Sequence, residues 1–122
     1  MLSLCRHYDE HVLPCIDFAH LHALGIGCIN TEADFERIVK QGIETLGMDK
    51  MKMFHSHFSH IEYTSAGEKK HRKFSDEGFG PNFSHLSPVL HRYGLFPTII
   101  CESAGSQGED CVLMQKIYEG KF

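Results

Sequence analysis

Two hydrophobic periods alternate along this chain, one of two residues and one of about 3.6, and the switches between them mark out its elements. Residues 12–18 (VLPCIDF) form a short apolar run that predicts a buried strand, followed by AHLHALGIGCIN, which reads as a glycine-bearing loop. Residues 31–47 (TEADFERIVKQGIETLG) predict a helix. Thr31 can cap it, Glu32 and Asp34 sit in the first turn where the helix dipole favours anions, and Gly47 stops it. Phe35, Ile38, Val39, Ile43 and Leu46 make one apolar stripe, interrupted only by Gly42.

A strict alternation over KMKMFHSHF, residues 50–58, predicts a second strand with Met51, Met53, His55 and His57 on one face and Lys52, Phe54, Ser56 and Phe58 on the other. Residues 59–85 then read as a long loop, a length associated with function in compact domains. Phe83, Leu86, Leu90 and Tyr93 recur at helical spacing. Pro88 allows either a helix capped by Ser87 or a kinked helix that starts earlier. LFPTIICES predicts the third strand, ending at Glu102, and Val112, Leu113, Lys116 and Ile117 predict a terminal helix with a mixed stripe.

Strand, helix, strand, helix, strand, helix is the pattern of an α/β chain with parallel strands and right-handed crossovers. Three consecutive parallel β/α units fit an open α/β layer or three-eighths of a (β/α)8 barrel. With 122 residues the chain is far shorter than the roughly 250 of a closed barrel. It therefore reads as one domain, 1–122, or as part of one.

Composition narrows the setting. An apolar fraction of 42% with 23% charged residues belongs to an ordinary folding chain. No apolar run is long enough to cross a membrane, and Arg6, His7, Asp9 and Glu10 interrupt the start in a way that a signal peptide would not. The expectation is a cytoplasmic protein with no membrane partner. A formal charge of -4 is the opposite of a basic nucleic-acid footprint. The five cysteines contain no CxxC pair and read as free thiols.

Chemistry gathers where strands end, the functional edge of barrels and open parallel sheets alike. Asp17 and His20 end the first strand with His22 just beyond, His55 and His57 end the second, and Glu102 closes the third. Glu68 and His71 lie in the long segment between, which can return to the same rim. Carboxylates and imidazoles together suit zinc, manganese or iron better than magnesium. Such ions could activate water for phosphodiester hydrolysis or polarise a sugar carbonyl for isomerisation. Plainer roles are open at each position: Asp17 as a cap, His57 as a supporting neighbour, His60 as a solvated loop residue, Glu68 in an exposed turn beside Lys69 and Lys70. Because His20 and His22 flank Leu21, only one of them faces the site. Glu102 is the hardest to explain away, since a carboxylate at the end of PTIIC is costly unless it is used.

CIDFAHLHA, MFHSHFSHIEYTSAGEKKH and GLFPTIICES resemble, in order and spacing, the last three β/α units of the endonuclease IV group. These are xylose-isomerase-like TIM barrels that include the zinc-dependent family 2 apurinic/apyrimidinic endonucleases. The resemblance implies a partial (β/α)8 barrel and a zinc site that cuts DNA 5′ to an abasic deoxyribose. It implies Asp17, His20, His55, His71 and Glu102 as metal ligands, with Asp17, His55 and Glu102 closest to catalysis. Lys69 stands where the group has an aspartate, and Glu68 is the substitute on offer. His57 stands where better-known members have asparagine, and HxHFSHIEYT is similar to a branch whose substrate need not be abasic DNA. A small sugar is the alternative substrate.

The group also draws two histidines and a glutamate from earlier strands, and nothing before Asp17 resembles them. The resemblance thus implies the C-terminal portion of a barrel, completed by a missing N-terminal half or by self-association. An inactive fragment is the third alternative.

Overall fold

The computed structural model describes residues 13–25, 28–64, 67–72, 80–103 and 105–120, with 61–64 and 67–72 described by their backbone path alone. Three strands, β1 (Cys15–Asp17), β2 (His55–Phe58) and β5 (Thr98–Cys101), form a parallel sheet in the order β1-β2-β5. Two more strands, β3 (His60–Thr64) and β4 (Gly67–Arg72), pair antiparallel as a separate hairpin. The helices are α1 (Phe18–Leu24), α2 (Glu32–Leu46), α3 (Met48–Met51), α4 (Phe83–Tyr93) and α5 (Gln107–Glu119). The chain is thus a mixed α/β fold whose three parallel strands lie side by side in chain order, with the hairpin inserted between the second and third.

Register explains which residues face the helices. Cys15 pairs with His55 and His55 with Thr98; Asp17 pairs with His57 and His57 with Ile100. Side chains alternate across a strand, so Ile16, Ser56, Phe58 and Cys101 turn inward and are buried. There they meet α2, α4 and α5, with α4 in contact with both of the others. Phenylalanines dominate this core. Phe18 is fully buried with ring centroids 5.3 Å from Phe35 and 6.0 Å from Phe58, and Phe58 meets Phe83 edge-on at 5.4 Å. Edge-to-face contacts of this kind add to the hydrophobic gain.

The opposite face is open. Cys15, His55 and Thr98 are exposed on it, and Ile100 is 51% exposed. Parallel sheets are ordinarily covered on both sides. Beside β1, a groove of about 620 Å³ runs between that strand, α1 and α2, lined by Ile16, Leu21, Ile29 and Ile38 among others.

Several expectations are corrected. The first strand is three residues long, because Asp17 caps a helix that begins at Phe18, and most of the expected loop after it is α1. Phe18, Ala19, His22 and Ala23 are its buried face. The second strand starts at His55; Met51 belongs to α3, where its side chain fills the space left by Gly42 of α2. The long segment after Phe58 contains the hairpin. Pro88 lies inside α4, whose N-cap is Asn82, so the earlier-starting helix is the one formed. In α5 the buried residues are Asp110 and Met114, while Val112 and Leu113 are exposed. The α2 expectation holds in detail: Thr31 and Asp34 form a reciprocal capping box and Gly47 is the C-cap.

Candidate metal centre

The site is built at the carboxyl ends of the three parallel strands. β1 delivers Asp17 as its last residue, and α1 starts at once, which puts His20 one turn along. Asp17 Oδ1 accepts a hydrogen bond from the His20 backbone N–H at 2.9 Å, so one oxygen caps the helix. Its other oxygen, Oδ2, contacts His20 Nδ1. Both the capping role and the ligand role are therefore available to one carboxylate.

Glu102 follows β5 directly. Its backbone N–H donates to the Phe58 carbonyl at 3.2 Å, which extends the ladder by one residue. Alternation then puts its side chain on the face of Ile100 and His57. His57 Nδ1 lies 2.7 Å from Glu102 Oε1 and 3.8 Å from Asp17 Oδ2. The imidazole thus stands between two carboxylates from flanking strands. Side-chain exposures of 21% for Asp17 and 29% for Glu102 leave the pair reachable from solvent while thinning the water around it.

One ligand atom each from Asp17, His20 and Glu102 can be chosen so that all lie within 4.8 Å of one another. Two carboxylate oxygens and an imidazole nitrogen suit zinc and neighbouring first-row divalent ions. The donor set fits a metal with a small adjustment: His20 Nδ1 and Asp17 Oδ2 are hydrogen-bonded, closer than the roughly 3.3 Å between two ligands of a tetrahedral zinc with bonds of about 2.0 Å. An ion bound there would replace the shared proton. Partial burial, then the negative charges of Asp17 and Glu102, push the Cys15 thiol up from its ordinary value.

The other expected ligands are placed differently. His55 is on the same open face, paired with Cys15 and Thr98 and so two residues nearer the start of the strand than His57. Among the described residues it is not drawn into the Asp17, His20, Glu102 group. Glu68 and His71 lie on β4, opposite Tyr63 and Ile61, and their side chains fall outside the described residues. His22 turns inward: it is 3% exposed and its Nδ1 accepts the Ile29 backbone N–H at 3.0 Å. Burial holds its ring below the usual histidine range. His60, expected in solvent, is buried. Sequence reasoning offers His57 as a supporting neighbour, and alternation after Phe54 puts it on the open face; its partner, Glu102, is set by the pairing of the second and third parallel strands.

Comparison with known proteins gives a relative but no activity. The chain is 35% identical over 117 residues to an uncharacterized protein of Methanocaldococcus jannaschii, an alignment covering 96% of this chain and 41% of the relative. It therefore spans about two-fifths of the length of that protein. No family model matches the sequence, and no solved structure matches it. Among the described residues no helix is long and apolar enough to cross a membrane.

Proposed function

We propose that this chain supplies three consecutive β/α units of a partial TIM barrel, and that the assembled barrel is a metal-dependent phosphodiesterase resembling endonuclease IV. The observation that carries this reading is the convergence of Asp17, His20 and Glu102 at the carboxyl ends of parallel strands. The open sheet face supports it, because in a closed barrel that face is the packed interior. The groove beside β1 is where a preceding unit would pack, and the greater length of the relative supplies room for such units.

In this reading Asp17, His20 and Glu102 hold zinc, with His55 one step down the open face and Glu68 and His71 on the hairpin as further candidates. Zinc held there would supply Lewis acidity to a phosphodiester oxygen and lower the pKa of an attacking water. The chain's own contribution is placement: the ladder fixes Glu102, the helix cap fixes Asp17, and the half-buried setting strengthens their electrostatics.

The test is incision of duplex DNA carrying one abasic site by the complete gene product, after chelation and re-addition of zinc. Cutting 5′ to the abasic site that returns with the metal supports the proposal. Failure to cut with zinc, manganese or iron overturns it.

A further inference from the structure

His57 has no assigned task in a site made by Asp17, His20 and Glu102, yet its Nδ1 lies 2.7 Å from Glu102 Oε1. Its backbone is fixed in the middle strand, paired with Asp17 on one side and Ile100 on the other. Phe58, the next residue, is fully buried, which locks the strand beneath it. Glu102, by contrast, sits one residue beyond its strand at the end of a long side chain. Ordering those torsions opposes binding of any ion. A neighbour that orders them in advance strengthens binding without touching the metal.

We propose that His57 is a positioning residue of the metal site, donating Nδ1–H to Glu102 Oε1 and so holding that carboxylate where it meets Asp17 and His20. The inference rests on the reading that those three residues hold a metal. The geometry separates this role from that of a ligand. His57 Nδ1 lies within hydrogen-bond range of Glu102 Oε1, at 2.7 Å, and further from Asp17 Oδ2, at 3.8 Å. His20, not His57, supplies the imidazole atom of the close group. The specificity of the contact is also testable, since the side-chain amide nitrogen of asparagine lies close to where histidine carries Nδ1, and that of glutamine lies nearer Nε2.

The experiment uses the purified 122-residue chain, stripped of metal, with zinc affinity measured by competition against a chromophoric chelator. His57→Ala should weaken zinc binding about 10- to 100-fold, His57→Asn should stay within about threefold of the unmodified chain, and His57→Gln should resemble alanine. Circular dichroism checks that each variant is folded, and the visible spectrum of the cobalt-loaded asparagine variant should match the parent because the ligands are the same. Equal affinity in the alanine variant overturns the proposal. So does rescue by glutamine but not by asparagine, which would make Nε2 a ligand. If alanine prevents folding, the asparagine and glutamine pair still decides. A folded parent chain that binds no zinc refutes the metal site itself, and the inference with it, which is a different result from unchanged binding in the variants.

Discussion

Substituting Asp17 by asparagine and by alanine distinguishes a helix cap from a metal ligand, because the two roles use different properties of the side chain. The cap needs only an oxygen that can accept the His20 N–H at 2.9 Å, and asparagine caps helices about as well as aspartate. The ligand needs the negative charge. In the presence of a chelator, Asp17→Ala should therefore lose about 1 kcal/mol, the usual worth of an N-cap, which for a domain of this size lowers the melting temperature by about 4 °C. Asp17→Asn should stay within about 0.5 kcal/mol of the parent, the residual loss being the charge at the start of α1. Zinc titration should rank the variants otherwise, with both weakened by about 100-fold or more, since each lacks an anionic ligand. Urea denaturation with chelator and zinc competition without it are the two assays. Equal destabilisation by asparagine and alanine would refute the cap, and zinc affinity unchanged in Asp17→Asn would refute the ligand.

Three further outcomes follow from the packing. Phe58→Ala should cost about 3–5 kcal/mol, read from the urea midpoint, because the ring it removes is fully buried against Phe18, Phe35 and Phe83. Gly94→Ala should cost about 1 kcal/mol by the same measurement, since Gly94 caps α4 at φ +64°, in the left-handed region. Burial lowers the His22 pKa, so the stability this neutral ring contributes is present above the unfolded-state value near 6.5 and is lost as pH falls through the lowered folded value. His22→Asn, which keeps an acceptor for the Ile29 N–H, should lose less stability than the parent between pH 7.5 and the acid side of that window. Identical pH slopes would remove His22 as the cause.

The sequence displays most clearly whatever is settled by short-range chemistry. The capping box of α2, its Phe35 and Val39 stripe and its Gly47 stop are all local, and all appear where the pattern puts them. The alternation of His55 to Phe58 likewise separates the open face from the core. Long-range effects were less legible. The strand and helix at Asp17 share one apolar run, because a buried strand and the buried side of α1 are both hydrophobic and no turn residue parts them. Met51 reads as a strand residue until α2 is packed on it through the gap at Gly42. The isoleucine, tyrosine and threonine of β3 carry strand propensity, but the length of polar sequence around them hid the hairpin. In the site, Asp17 and Glu102 stood out at strand ends, whereas position alone left His20 and His22 open. The preference for His57 beside Glu102 depends on register between β2 and β5, which no local pattern specifies.

That register has a kinetic consequence. β2 alone hydrogen-bonds to both other parallel strands, and each partner is distant in sequence, so two long loops must close before Asp17, His57 and Glu102 can meet. Parallel pairings of such separation form slowly, whereas α2, with its own caps, can form early. The amides of β2 should therefore be the last to gain protection from hydrogen exchange during refolding, and the chain acquires its metal-binding geometry only when the middle strand docks.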